Sequence, residues 1–275
     1  MEEMTSAKEH PMTRSHDDEL NRAVAHLNGA TRMVALTGAG ISTEAGIPDF
    51  RSSEGGLWND LHLMVSLSSW GFRLAPERFY RQVLKLIPPL LKAQPTRTHY
   101  LLAEFERMGK LTTVITQNID GLHQQAGSRN VIELHGTYRR AHCIDCHHAY
   151  TFEEIQNKIH QQELPPRCHR CQGLIKPDVV LFGDLLPPEA LARATQAVRE
   201  CDLLLVLGSS LVVYPAADLP QRAREAGVPL LIVNLEPTPY DRHAEIVIHT
   251  PLGEFSQFIG DRMGLKLHPP GASPQ

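Results

Sequence analysis

Polar residues that could take part in catalysis follow two apolar, strand-like runs of the sequence. Asn118 and Asp120 come shortly after the run that ends at Thr116, and His135 follows the run that ends at Leu134. In an open α/β sheet, polar residues at the carboxyl ends of parallel strands lie where ligands bind. Neutral histidine is well suited to accept a proton near pH 7. The pattern indicates a catalytic site; a turn that caps a helix and a structural histidine are the alternatives.

A glycine-rich segment follows another apolar run, Met33 to Leu36. A strand that ends in glycines and turns into a helix brings backbone N–H groups and the helix N-terminus to a pyrophosphate. Gly38 and Gly40 fit the dinucleotide fingerprint, but Thr43 stands at the third glycine position and the next glycine is Gly46. The segment favours a dinucleotide, with a simple tight turn as the alternative.

Two Cys-x-x-Cys pairs are of the type that forms a four-thiolate zinc site, although the 21 residues between them are one more than the usual window: Cys143, Cys146, Cys168 and Cys171. Four thiolates complete a tetrahedral shell and leave no position for water, so such a zinc ion folds its segment rather than catalyses. Disulfides are the alternative, disfavoured if the chain is not exported. Nearby histidines are alternative ligands: His142, His147, His148 and His169. The fifth cysteine, Cys201, is expected to be a small buried core residue.

Alternating strand-like and helical patterns must position these residues. Predicted strands are Met33 to Leu36, Thr112 to Thr116, Val131 to Leu134, Val179 to Phe182, Leu203 to Leu207, Leu230 to Asn234 and Ile246 to His249. Predicted helices are Asp17 to Asn28, Pro76 to Leu91, His99 to Met108, Pro188 to Glu200 and Asp218 to Ala226. This alternation predicts an α/β fold with a doubly wound parallel sheet. Two interruptions, Ser52 to Ala75 and Tyr138 to Gly173, predict a second, smaller domain.

The chain as a whole excludes some partners. Its 275 residues carry 31 acidic side chains against 27 lysines and arginines. This balance gives no electrostatic attraction to nucleic acid or to an anionic membrane. No apolar stretch approaches the roughly 20 residues of a membrane span, and the polar start has no signal-peptide segment. We expect a cytoplasmic protein with disordered tails at residues 1–17 and 263–275.

Taken together, the motifs resemble those of the sirtuins, the NAD-dependent protein lysine deacylases. The motifs occur in the family's order: Gly38 to Ser42, Gly46 to Arg51, Thr116 to Asp120, His135-Gly136, the paired Cys-x-x-Cys, Phe182-Gly183, Gly208 to Leu211 and Val233-Asn234. The resemblance covers roughly residues 18 to 260 and is to the compact bacterial and archaeal members.

The resemblance implies two domains with NAD between them. A Rossmann-like domain would comprise residues 18–46, 87–137 and 176–262, and a smaller domain with a zinc ribbon would comprise 47–86 and 138–175. The implied activity is protein lysine deacetylation, in which the acyl oxygen displaces nicotinamide from the ribose of NAD. Its products would be nicotinamide, deacetylated lysine and O-acetyl-ADP-ribose. NAD would be consumed, and one zinc ion would be structural.

The resemblance also implies roles for individual residues. His135 matches the general base for a ribose hydroxyl, and Asn118 and Asp120 match residues that orient the ribose and nicotinamide. The implied NAD contacts are Gly38, Ala39, Gly40, Ser42, Thr43, Phe50, Arg51, Gln117, Asn118, Ile119, Asp120, Gly208, Ser209, Ser210, Asn234, Leu235, Glu236 and Leu252. Phe50 and Arg51 would belong to a mobile loop over the cofactor. The acyl-lysine peptide would lie as an added strand against Val179, Phe182, Gly183, Leu211 and Val212.

Three positions depart from the family pattern. Pro251, beside Leu252, has no N–H for the expected adenine contact. Asp184 stands where the family more often has glutamate. Members that prefer succinyl or malonyl groups carry tyrosine and, three residues on, arginine, whereas Tyr80 is followed at that spacing by Val83. We therefore predict a preference for acetyl and other neutral acyl groups.

Two other functions use the same residues. Mono-ADP-ribosyl transfer to protein would use the same NAD site with a different acceptor. An NAD-sensing or zinc-ribbon interaction module without turnover is the non-enzymatic alternative, and the presence of Asn118, Asp120 and His135 together disfavours it.

Overall fold

The structure is a computed structural model that describes residues 16–48 and 61–268. The strands within these residues are β1 (Met33–Thr37), β2 (Leu111–Thr116), β3 (Val131–Glu133), β4 (Gly136–Cys143), β5 (Ala149–Thr151), β6 (Ile175–Val179), β7 (Leu203–Leu207), β8 (Leu230–Val233) and β9 (Ile246–Ile248). The helices are α1 (His16–Gly29), α2 (Leu61–Ser66), α3 (Ser69–Leu74), α4 (Pro76–Lys92), α5 (Arg97–Arg107), α6 (Leu122–Ala126), α7 (Phe152–His160), α8 (Pro188–Glu200), α9 (Leu219–Glu225) and α10 (Leu252–Met263). None of these helices is long and apolar enough to cross a membrane.

The main sheet has six parallel strands in the order β3-β2-β1-β7-β8-β9. Strands β1, β7 and β8 are buried along their whole length, as expected for apolar runs covered on both faces. The first hydrophobic cluster packs α1, α5 and α10 on one face, and the second packs α8 and α9 on the other. The predicted doubly wound sheet is confirmed.

The register of the main sheet brings the carboxyl ends of its strands together. Thr37 at the end of β1 pairs with Thr116 of β2 and with Leu207 of β7. Thr116 in turn pairs with Glu133 of β3, and Leu207 pairs with Val233 of β8. The loops that follow these strands therefore emerge along one edge. The strand order reverses between β1 and β7, the point at which such sheets bind ligands.

A smaller antiparallel sheet has the order β5-β4-β6. The third hydrophobic cluster joins it to α3 and α4, with Phe72, Phe79 and Tyr80 packing against Ala141 and Ile175. The two chain segments that interrupt the main sheet therefore share a core.

The predicted strand Val179 to Phe182 was wrong. Strand β6 begins at Ile175 and ends at Val179, and it pairs antiparallel with β4 rather than joining the main sheet. Val179 and Leu181 pack in the third cluster, whereas Val180 packs against the second. Periodicity locates an apolar run but does not say which sheet will cover it.

Some helices and the tails also differ from the predictions. Helix α10 was missed because Gly253 and Gly260 lower its helix propensity, which the packing of Phe255 and Ile259 overrides. Helix α1 begins at His16, within the predicted tail. At the other end, Leu265 and Leu267 pack against the first cluster, so residues 263–268 are ordered by contact with the core. Residues 1–15 and 269–275 lie outside the described residues.

Candidate NAD and zinc sites

The loops after β1 and β7 touch at the point where the strand order reverses. Gly38 N donates to Leu207 O at 3.2 Å, and Gly40 N donates to Gly208 O at 2.9 Å. A Cβ on Gly40 would lie 2.8 Å from Gly208 Cα, closer than real Cβ atoms approach. Gly208 has φ +63°, which few other residues adopt. The glycines at 38, 40 and 208 therefore have a packing role, and their contact with pyrophosphate stays a prediction.

Ser42 connects the glycine loop to the two polar residues that follow β2. Ser42 Oγ donates to Asp120 Oδ2 at 2.7 Å and accepts from Asn118 Nδ2 at 3.1 Å. Asn118 Nδ2 also lies 3.1 Å from Gly38 O, and Asp120 Oδ1 accepts from Leu122 N at 2.9 Å. The turn that caps α6, the structural alternative for Asp120, is therefore present. The other carboxylate oxygen, Oδ2, bonds to Ser42 of the glycine loop. The Asp120 side chain therefore contacts both the start of α6 and the glycine loop.

His135 lies half-buried at the end of β3, with its ring oriented by the neighbouring loop. His135 Nδ1 is 2.7 Å from Gln117 O, which can only accept, so Nδ1 carries a proton. In the neutral ring Nε2 is then the proton acceptor. Burial lowers the pKa of His135, and the bond to Gln117 partly opposes this. Gly136 has φ +74°, and a Cβ there would overlap Asp178 O.

Gln117 joins the β2 loop to the β7 loop. Its backbone N donates to Thr37 O at 3.0 Å, and its Nε2 donates to Ser209 Oγ at 2.8 Å. Ser209 is buried and Ser210 is half-buried beside it. Loops from β1, β2, β3 and β7 thus bring together Ser42, Gln117, Asn118, Asp120, His135 and Ser209.

The remaining residues predicted near the phosphates are more peripheral. Ala39 and Ile119 are half-buried, and Thr43 is exposed, with its hydroxyl donating to Gly40 O at 3.1 Å. Phe50 and Arg51 lie outside the described residues.

The residues predicted for the far half of NAD follow β8 and begin α10. Asn234 Nδ2 donates to Glu236 O at 2.7 Å, and Leu235 is 67% exposed. Leu252 directs its side chain into the first cluster, so only its backbone is left for a ligand. Gly253 N donates to Glu44 Oε1 at 2.7 Å, a contact that ties the glycine loop to the start of α10. The sequence carried no signal for it, because the two residues are 209 positions apart.

The two predicted peptide loops differ in how much side chain they expose. Phe182 O accepts from Ser69 N at 2.9 Å, while Gly183 is exposed with φ +88°. Leu211 has φ +53° and buries its side chain in the second cluster, whereas Val212 is exposed. A peptide would therefore meet Leu211 through the backbone and Val212 through the side chain. Asp184, the departure from glutamate, accepts from Leu181 N at 3.2 Å within the first loop.

The four predicted cysteines come together at one end of the small sheet. Their Sγ atoms all lie within 4.8 Å of one another. Cys143 Sγ lies 3.4 Å from Cys171 Sγ, and Cys146 Sγ lies 3.6 Å from Cys168 Sγ. A tetrahedral zinc ion with Zn–S bonds of about 2.3 Å places sulfurs about 3.8 Å apart, so the residues fit this ion. A disulfide needs about 2.05 Å and does not fit.

The histidines near the cysteines have other contacts. His142 Nδ1 lies 2.6 Å from Asp178 Oδ1, and His169 Nδ1 lies 3.0 Å from Tyr150 Oη. Tyr150 was not singled out from the sequence, yet its hydroxyl donates to Cys168 Sγ at 3.1 Å. Cys201 is buried in the second cluster, and its prediction as a core residue is confirmed.

Comparison with known proteins supports the same interpretation. The model of the Sir2 family matches residues 38–215. The chain is 45% identical over 227 residues to NAD-dependent protein deacetylase 2 of Caldanaerobacter subterraneus subsp. tengcongensis, covering 82% of this chain and 89% of that protein. It resembles a structure of Sir2 with p53 peptide and NAD+ at 41% identity and a TM-score of 0.81, covering 89% and 98%. A Sir2 complex with 2'-O-acetyl-ADP-ribose and deacetylated p53 peptide gives 41% and 0.80, covering 90% and 100%.

Proposed function

The chain belongs to the Sir2 family, and we propose that it is an NAD-dependent protein lysine deacetylase. Its products are nicotinamide, the deacetylated lysine and O-acetyl-ADP-ribose. One observation carries the assignment: Asn118 and Asp120 bond to the glycine loop where the strand order reverses, and His135, from the loop after β3, bonds to Gln117 O beside them. A binding module has no need of a buried carboxylate, an oriented amide and a neutral histidine at one edge of a sheet.

Each of these residues has a chemical task. NAD, when bound, supplies a ribose carbon whose bond to nicotinamide breaks as the acyl oxygen attacks. His135 accepts a proton from a ribose hydroxyl at Nε2, because Gln117 O holds the other ring nitrogen protonated. Ser42 holds the Asn118 amide and the Asp120 carboxylate in fixed orientations for the ribose and nicotinamide.

We propose that the chain is divided into two domains. The Rossmann-like domain comprises residues 18–46, 87–137 and 176–262, and the small domain comprises 47–86 and 138–175. The third hydrophobic cluster supports it, because that cluster joins α3 and α4 to the small sheet. The four thiolates belong to the small sheet and hold the structural zinc.

Nicotinamide release measured with and without acetyl-lysine peptide tests the activity. A deacetylase releases nicotinamide only when acetylated peptide is present and forms O-acetyl-ADP-ribose in equal amount. Release without acetylated peptide, with labelled ADP-ribose appearing on protein, would instead support the ADP-ribosyltransferase alternative. NAD binding without any release would support the module without turnover.

Acyl selectivity follows from the side chains of α4. Tyr80 is fully buried, its hydroxyl donates to Ile175 O at 2.7 Å, and Val83 packs against the same cluster. Neither residue offers a positively charged side chain to pair with a succinyl carboxylate. We expect acetyl-lysine and other neutral acyl-lysines to be cleaved faster than succinyl-lysine in the same peptide. A higher kcat/KM for succinyl-lysine would contradict this prediction.

Partners and location complete the proposal. The partners are proteins that carry acetyl-lysine. The net charge of −4 gives no electrostatic attraction to nucleic acid or to anionic membranes. A cytoplasmic location suits four free thiols that must stay reduced to bind zinc.

A further inference from the structure

Two buried histidines lie beneath the glycine loop, outside the group of residues given a chemical task above. His99 of α5 is 0% exposed and His123 of α6 is 1% exposed. Their ring centroids are 4.7 Å apart, and the rings are inclined by 55°. Such burial is costly for imidazole unless its polar atoms are bonded.

One nitrogen of each ring bonds to a threonine. His123 Nε2 lies 2.9 Å from Thr37 Oγ1, at the last residue of β1. His99 Nδ1 accepts from Thr96 N at 3.1 Å and lies 2.8 Å from Thr96 Oγ1. Because Nδ1 of His99 accepts this bond, the proton of the neutral ring is on Nε2.

These two threonines contact the opposite ends of the glycine loop. Thr37 is the residue immediately before Gly38, and the Thr96 hydroxyl donates to Ile41 O at 3.1 Å. The adjoining imidazoles therefore connect, through one threonine each, the residues on either side of Gly38 to Gly40. We call Thr37, Thr96, His99 and His123 the loop clamp.

The other nitrogens of the clamp have no partner among the described residues. His99 Nε2, His123 Nδ1 and Ser128 Oγ are the three buried side-chain atoms in this condition. Ser128 is close in the structure, since its backbone N donates to His123 O at 3.0 Å.

The clamp is uncharged under ordinary conditions. Burial lowers the pKa of His123 to about 3, and burial followed by the proximity of His123 lowers the pKa of His99. A neutral ring can accept a hydrogen bond at one nitrogen, as His99 does from Thr96 N.

We propose that His99 and His123 are positioning residues for NAD, which fix both ends of the glycine loop through Thr96 and Thr37. This inference rests on the proposed function, because it requires the loop to bind NAD. A preformed loop loses less conformational freedom on binding, so the clamp acts on NAD affinity and leaves the chemical step unchanged.

Thr37→Val tests the clamp by removing one hydroxyl from a strand, where valine is well accommodated. Thr113→Val is the matched control, because Thr113 is also a buried threonine of the main sheet and its hydroxyl accepts only from Asn130 Nδ2, at 2.9 Å. The Kd of NAD is measured by calorimetry, and kcat and the KM of NAD are measured with acetylated peptide. We expect Thr37→Val to raise Kd and KM about three- to tenfold with kcat within about twofold. Thr113→Val should change none of them.

A second pair of variants tests His123 itself. His123→Gln keeps an amide that can bond to Thr37, whereas His123→Leu cannot, so NAD affinity should fall less in the glutamine variant. Zinc content and the unfolding midpoint identify a variant that fails to fold. If both His123 variants fail to fold, the NAD affinity of Thr37→Val is the test of the clamp.

Several results would overturn the proposal. Native NAD affinity in Thr37→Val, an equal loss in Thr113→Val, or a fall in kcat at unchanged KM would each refute the clamp while the proposed function stands. A native protein that binds no NAD would refute the proposed function and the clamp with it.

Discussion

At the scale of single residues, the candidate site depends on hydrogen bonds that orient each side chain and leave one of its atoms available to a ligand. Gln117 O orients His135 so that Nε2 is the accepting nitrogen. Ser42 donates to Asp120 and accepts from Asn118, which fixes the amide and the carboxylate relative to each other. Each functional group is therefore held in one orientation by a neighbouring polar group.

His135→Ala should remove the general base and lower kcat by about 10² to 10⁴. Zinc content and the circular dichroism spectrum should stay native, because the ring is not part of any hydrophobic cluster. His160→Ala, at the exposed end of α7, is the matched control and should retain activity. Turnover at the native rate in His135→Ala would show that His135 is not the base that accepts the proton of the ribose hydroxyl.

The pH dependence of kcat/KM follows from the same residue. The neutral ring is the active form, and burial lowers its pKa below the ordinary value of 6.5. Activity should therefore persist as the pH falls to 6.5 and be lost on further acidification. A profile whose acid limb has its midpoint above 6.5 would contradict the proposed environment of His135.

At the scale of structural elements, close contact between loops explains the glycine pattern. The loop after β1 packs on the loop after β7, and both backbones lie too close for a Cβ. The zinc site similarly joins the turn after β4 to the turn before β6, where four thiolates converge. Both sites depend on elements that are distant in the chain.

Gly40→Ala should destabilise the fold by about 1–3 kcal/mol, because the new methyl group meets the backbone of Gly208 and one loop must move. Gly29→Ala is the matched control, since a Cβ there has no atom within 4 Å. Urea denaturation should show a lower midpoint for Gly40→Ala and a native or higher one for Gly29→Ala. Equal urea midpoints for Gly40→Ala and Gly29→Ala would mean that the loops can move apart without loss of stability.

Removing zinc should unfold the small sheet and leave the main sheet folded, because the first two clusters contain no residue of β4, β5 or β6. Hydrogen exchange after chelation should show lost protection in β4 and β6 and retained protection in β1 and β7. Cys146→Ser should lose the metal, and Cys201→Ala should keep it. An intact small sheet after chelation would refute a structural zinc ion.

At the scale of the whole molecule, three hydrophobic clusters support two sheets, and the candidate site lies at the carboxyl edge of the larger one. His135 lies between β3 of the main sheet and β4 of the small sheet, and His135 O accepts from Val180 N at 2.9 Å. A ligand at this edge therefore contacts groups from several separate chain segments, so its binding should stabilise the fold as a whole.

ADP-ribose should raise the free energy of unfolding by about 2.7 kcal/mol at a concentration of 100 times its Kd, because it binds only the folded protein. Urea denaturation at fixed zinc concentration measures the change. AMP at the same concentration should stabilise less, since it reaches only the adenosine half of the site. Equal stabilisation by the two ligands would contradict a site that extends from Asn234 to Asn118.

The main sheet, the cysteine cluster and the residues at the sheet edge were predictable because each depends on a local sequence pattern. Burial on both faces makes parallel strands continuously apolar, and six of the seven predicted strands lie in the main sheet. The spacing of Cys143, Cys146, Cys168 and Cys171 predicted a cluster that the structure contains. The order of the motifs identified the family, and strand ends placed Asn118, Asp120 and His135 at one edge.

Other features were decided only by tertiary structure, because they depend on which distant segments meet. The sequence could not show that Val179 would end a strand of the small sheet, or that Glu44 would bond to Gly253. The reason for Gly38 and Gly40 became visible only when Gly208 was found against them. The loop clamp likewise unites Thr37, Thr96, His99 and His123 from three elements. Side-chain type and spacing determine what chemistry a chain can perform, and packing determines which groups stand close enough to perform it.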